Sequence, residues 1–191
     1  MLWIDVCIPY EPGKKLAFAY NRAMKNSKSE WVLIIDHDLF FVNPHWYDMC
    51  LNAIERVGNK AGLITAKCNR IGPTTQLYKP QKDTDNIKDH IKIAREVYFK
   101  YGNRISFVKQ TPGSYLSGFF MLTSKTAWKK VGGFRDMGKG LSKIDADYSK
   151  RLKEVGYGLY VIEGLYFYHL YKYKWKTVWD KNKWKLKGRS G

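Results

Sequence analysis

Acidic residues are scarce in this sequence of 191 residues: 17 Asp and Glu face 34 Lys and Arg, leaving a net charge of +17. A positive field of that size favours nucleotides, phosphates, nucleic acid or anionic lipid headgroups as partners, without choosing among them. Long apolar runs are absent as well. No stretch approaches the roughly 18 residues of a membrane-spanning helix, and the start, Met-Leu-Trp-Ile-Asp, lacks the basic and apolar regions of a secretory signal. Cysteine is limited to Cys7, Cys50 and Cys68. Three widely spaced thiols argue against a disulfide framework and show no metal-binding spacing. Cys7 and Cys50, inside apolar patterns, read as buried thiols of a reducing, cytoplasmic setting. Internal repeats and low-complexity linkers are missing too. The chain does have length enough for one buried core. It also has a high aromatic share of 16%, with 14 Tyr and 7 Trp.

Strand and helix patterns alternate. Residues 3–10 read as a strand ended by Pro9, and Leu16, Ala19, Tyr20, Ala23 and Met24 recur at helical spacing. Trp31-Val-Leu-Ile-Ile35 is a buried strand. A helix opened by Asn43-Pro44 and closed by Gly58 carries Trp46, Met49, Cys50, Ala53, Ile54 and Val57 on one face. Residues 62–66 predict a short strand, 69–84 a polar loop, and Ile87, Ile91, Ala94 and Val97 a helix starting near Asp85. Strands are expected at 104–108 and 115–123, a short helix from Lys125 to Val131 closed by Gly132-Gly133, and a helix at 147–155. Residues 158–170 predict two short strands separated by Gly164. Such alternation gives an α/β domain with a mixed sheet flanked by helices, over residues 1–170. Residues 171–191 break the composition, with eight Lys/Arg against Asp180 and with Tyr173, Trp175, Trp179 and Trp184 interleaved. This basic aromatic tail suits an anionic membrane interface and peripheral attachment. It equally fits a solvated tail folding back on the domain.

The chemistry begins where the 31–35 strand stops at Asp36-His37-Asp38. Two carboxylates at the carboxyl end of a buried strand are hard oxygen ligands at the edge where open α/β sheets bind ligands. An ordinary turn accounts for the same pair. Ser117-Gly118 lies before a helix ending in Val131-Gly132-Gly133-Phe134, and its glycine marks either a packing position or close approach by a ligand. In Ile144-Asp145-Ala146-Asp147, Asp147 is placed to cap the next helix, and Asp145, just before it, to point into a cleft. His169 ends an aromatic strand, as a ligand or as a packed residue.

In this order the motifs resemble the GT-A glycosyltransferases, in particular the inverting family-2 enzymes and the β-1,4-galactosyltransferases, in a shortened version. Ile8-Pro9-Tyr10 looks like the strand end that opens that family's nucleotide site. Tyr20-Asn21-Arg22-Ala23 resembles a segment whose aromatic and arginine contact the nucleotide. Leu116-Ser117-Gly118-Phe119 through Val131-Gly132-Gly133-Phe134 is similar to the donor and acceptor segment.

The resemblance implies a Rossmann-like GT-A domain that moves a sugar, with inversion, from a nucleoside-diphosphate sugar (UDP-linked) to a hydroxyl of a glycan or lipid-linked acceptor. It implies Mn²⁺ or Mg²⁺ held by Asp38 and His169, with Asp36 at the metal or the ribose. Asp145 becomes the catalytic base. Pro9, Tyr10, Asn21, Arg22 and Gly118 fall on the donor side, and Ser117 and Asp147 on the acceptor side. Between Tyr10 and the next helix the family usually places a further strand, replaced here by Glu11-Pro12-Gly13. A GT-A-like protein that binds nucleotide or glycan without turnover is therefore the alternative. A nucleic-acid-binding module would share the charge and aromatics, but strand-ending carboxylates would repel its phosphates.

Overall fold

The computed structural model describes residues 2–13, 15–78, 84–138 and 143–170. In chain order the elements are β1 (Ile4–Cys7), α1 (Leu16–Asn26), β2 (Trp31–Ile35), β3 (Leu39–Phe40), α2 (Trp46–Val57), β4 (Ala61–Cys68), α3 (Ile87–Tyr101), β5 (Ile105–Phe107), β6 (Phe120–Ser124), α4 (Lys125–Lys130), α5 (Ile144–Glu154) and β7 (Gly158–His169). Seven strands form one mixed sheet in the order β1-β2-β6-β4-β7-β3, with β5 added to β7. β1 and β2 run parallel, as do β4 and β7, whereas β6 lies antiparallel between β2 and β4. The expected mixed sheet flanked by helices is present.

The run Trp31–Ile35 is apolar throughout because both faces of β2 are covered. Trp31, Leu33 and Ile35 pack with Met49, Cys50, Ala53 and Ile54 of α2. Val32 and Ile34 pack with Ala17, Tyr20 and Met24 of α1 and with Tyr148 and Leu152 of α5. A third cluster joins Ala94 and Val97 of α3 to Tyr166 and Tyr168 of β7. Helix ends follow local chemistry. The Ser124 hydroxyl accepts the Ala127 N–H at 3.0 Å to start α4, a cap worth about 1 kcal/mol. Gly58 (φ 55°) closes α2.

Several boundaries differ from expectation. β7 is one strand of twelve residues, not two. The anticipated break survives as a register slip, since Thr65 pairs with Val161 but Lys67 with Tyr166. Gly164 lies inside that slip because a Cβ there would sit 1.9 Å from the Gly102 carbonyl oxygen. The expected strand 115–123 starts only at Phe120; Gly118 stands in a turn ahead of it. α5 begins at Ile144, so Asp145 and Asp147 both lie in its first turn. β4 outruns the expected 62–66, and the two-residue β3, too short to leave a pattern, was not anticipated. Cys50 and Cys68 are buried and Cys7 is half-buried, all three as free thiols. No described helix is long and apolar enough to cross a membrane. The tail 171–191, with its expected role at a membrane, lies outside the described residues.

Candidate active site

The end of β2 and the end of β7 meet at one edge of the sheet. Asp36, the residue after β2, is pinned by its N–H to the Phe119 carbonyl at 3.0 Å. The chain then turns through Asp38 into β3, where Leu39 pairs with His169 and Phe40 with Tyr168. The Leu170 N–H closes the turn on the Asp38 carbonyl at 3.1 Å. Together these bonds carry His169 Nε2 to 3.3 Å from Asp38 Oδ1 and 3.9 Å from Asp36 Oδ2. All three ligand atoms lie within 4.8 Å of one another.

His169 is buried and stacks on Phe119 with ring centroids 5.5 Å apart. Its Nδ1 lies 3.0 Å from the Arg70 carbonyl oxygen. A carbonyl only accepts, so Nδ1 carries the hydrogen and Nε2 turns its lone pair toward the carboxylates when the ring is neutral. Three acceptors converging in this way are reconciled by a shared proton or by a divalent cation. Two carboxylates and an imidazole suit Mn²⁺ or Mg²⁺ as well as other borderline metals. The carboxylates differ electrostatically. The hydrogen bond with His169 holds Asp38 below the usual carboxylate range. Burial pushes Asp36 up, with His169 opposing it.

A third carboxylate stands nearby on α5. Asp145 Oδ2 accepts the Gly118 N–H at 3.0 Å and Oδ1 accepts the Ala146 N–H at 2.8 Å. Burial raises its pKa, against the pull of hydrogen bonds from Ala146, Gly118 and the Ser117 side chain. The Tyr20 phenol is buried between these parts. Desolvation first, then the Asp36 and Asp145 charges, push its pKa far above the ordinary tyrosine value. A Cβ on Gly118 would lie 3.6 Å from Asp145 Cβ and 3.7 Å from the Tyr20 hydroxyl, so the bare glycine leaves the space among them open.

Other predicted residues take different places. Asp147 does not cap α5. Its carboxylate binds Arg151 Nε at 2.8 Å, and Arg151 also donates to the Val131 carbonyl. Asp147 therefore ties α5, through Arg151, to the Val131 carbonyl ahead of Gly132-Gly133. Asn21 is likewise engaged internally: Oδ1 accepts from Trp128 Nε1 and the Phe134 N–H, each at 2.9 Å, and Nδ2 donates to the Phe134 carbonyl at 2.8 Å. These bonds clamp α1 to the segment that ends at Phe134. Tyr20, the aromatic before Asn21, is 4% exposed and packs edge-on against Phe134. Pro9, Tyr10 and Arg22 line an open groove of about 560 Å³ along β1 and α1. There Arg22 donates to the Tyr10 carbonyl at 2.8 Å and faces Glu11 at 3.6 Å. The Ser117 side chain hydrogen-bonds Asp145. Sequence reasoning missed Asn69 and Gln76, which support the site from a loop without a readable pattern. Compared with known proteins, the chain matches no family model and no curated sequence.

Proposed function

We propose that the protein is an inverting, metal-dependent glycosyltransferase of GT-A type that uses a nucleoside-diphosphate sugar, UDP-linked in first preference. The observation that carries this reading is the convergence of Asp36, Asp38 and His169 at one sheet edge, with the separately held carboxylate of Asp145 nearby. Asp38 and His169 would hold Mn²⁺ or Mg²⁺, with Asp36 beside them. Bound there, the ion would supply positive charge to a departing diphosphate. Pro9 and Tyr10 would border the nucleotide, and the exposed Arg22 would add a cation toward its phosphates. Gly118 would admit the sugar close to the backbone.

Asp145 would take the proton of the acceptor hydroxyl as that oxygen attacks the anomeric carbon. Burial makes it a stronger base than an exposed aspartate, and the N–H groups of Gly118 and Ala146 fix both of its oxygens. Base catalysis of this kind contributes about 10²- to 10⁴-fold. One base on the face opposite the diphosphate would give inversion at that carbon.

Thermal shift with a panel of nucleoside diphosphates, each with and without Mn²⁺, tests the binding. Greater stabilisation by nucleotide and Mn²⁺ together than by either alone is expected, and its absence for every base would defeat the proposal. Hydrolysis of the matching sugar nucleotide separates an enzyme from a GT-A-like binding protein.

A further inference from the structure

We propose that the loop Asn69–Tyr78, with Asn69 and Gln76 as positioning residues, is the strut that holds the histidine of the metal cluster and the turn under Asp145 in fixed relation. The inference deepens the glycosyltransferase reading and rests on it for its catalytic meaning. At its start the loop grips β7: Asn69 Oδ1 accepts the His169 N–H at 2.8 Å, and the next carbonyl, that of Arg70, takes His169 Nδ1 at 3.0 Å. These two contacts fix both the backbone and the ring of His169.

At its far end the loop grips the segment before β6. Gln76 is fully buried, and its side-chain amide does there what a neighbouring strand would do. Oε1 accepts the Ser117 N–H at 2.7 Å, while Nε2 donates to the Ser117 carbonyl at 3.2 Å and to Thr65 Oγ1 at 2.9 Å. Ser117 immediately precedes the Gly118 N–H that holds Asp145.

The loop is itself closed at β4. The Cys68 N–H bonds the Gln76 carbonyl at 2.9 Å, and the Tyr78 N–H bonds the Cys68 carbonyl at 2.8 Å. Hydrogen bonds and short backbone links therefore run unbroken from His169 through Asn69, Cys68, Gln76 and Ser117 to Asp145. The Gln76 amide, engaged at both ends, and the Asn69 oxygen fix geometry, because breaking one contact strands its partner in a low-dielectric interior. Partners of a metal-ligating histidine also tune its affinity.

The division of labour is testable on the full chain labelled with ¹³C-Asp and ¹⁵N-His. Without metal, Gln76→Met should move the Asp145 carboxyl resonance and leave the His169 imidazole signals in place. Asn69→Ala should do the reverse. With MnCl₂ alone as the probe, Asn69→Ala should raise Kd about 10-fold or more. Asn69→Asp, which keeps an acceptor for the His169 N–H, should restore it, and Gln76→Met should stay within about twofold of the parent.

If Gln76→Met fails to fold, Gln76→Glu keeps the acceptor for Ser117 and should move the Asp145 signal in the same sense. An unmoved Asp145 signal in the folded Gln76 variant, or unchanged His169 signals in Asn69→Ala, would overturn the strut. A parent that binds no Mn²⁺ would instead sink the glycosyltransferase reading, and the two resonance measurements would still decide the role of the loop.

Discussion

Asp36 and Asp38 stand two positions apart yet are pushed in opposite directions, Asp36 up by burial and Asp38 down by its hydrogen bond with His169. Asp38 is thus the more acidic of the two, and in the proposed reading it would be the carboxylate that takes the cation. Asp38→Ala should abolish the Mn²⁺-dependent stabilisation by a nucleoside diphosphate while leaving the circular dichroism unchanged; equal stabilisation of variant and parent would remove Asp38 from the site. Asp145 would have a different task in the proposed transfer. Asp145→Asn removes the basicity, and transfer should fall by about 10²-fold or more, with donor affinity nearly constant. The Gly118 and Ala146 N–H groups meet different oxygens of Asp145, one of which becomes an NH₂ donor in the variant, so thermal melts should accompany the kinetics. The carboxyl must be ionised to take a proton. Because its folded value is raised, activity should climb with pH through a midpoint above the ordinary aspartate value near 3.9. A limb at or below that value would point to another base.

Among the elements, β7 organises the site, since it pairs with β4, β5 and β3 and ends at His169. Its weak point is Gly164, where any side chain would strike the Gly102 backbone. Gly164→Ala should cost at least about 1–3 kcal/mol by urea denaturation, whereas a cost near zero would mean that the Gly102 turn gives way easily. β2 and its acidic end were legible in the sequence because a strand covered on both faces has no polar alternation to blur it. Asp145 and His169 were legible through their order along the chain, although periodicity put the start of α5 three residues late. The bonds of Asn21 and Asp147 were not legible, because spacing cannot tell which neighbour a polar side chain will meet: Asn21 bonds Phe134 and Trp128, and Asp147 bonds Arg151 instead of capping α5. Gln76 left no signal at all, since its partner Ser117 is 41 residues away and neither residue belongs to a periodic element.

For the whole molecule, the net charge of +17 predicts that nucleoside diphosphate binding weakens as salt rises, because exposed charges are screened beyond a Debye length of about 8 Å at physiological ionic strength. Removing residues 175–191 deletes six basic residues and Asp180. Each Lys or Arg near an anionic surface is worth about 1 kcal/mol, so co-sedimentation with phosphatidylserine vesicles should drop sharply while donor hydrolysis changes little. A collapse of hydrolysis in a folded, shortened protein would place the tail in the active site.

Because β7 ends at His169, the tail and the cluster of Asp36, Asp38 and His169 share a leash of very few residues. Fully stretched, the chain from His169 to Trp175 spans roughly 20 Å. Any surface gripped by that part of the tail is therefore confined to about one domain radius of that cluster. Acceptors embedded in that surface would meet the site at a high effective concentration, set by tether length rather than by their own affinity.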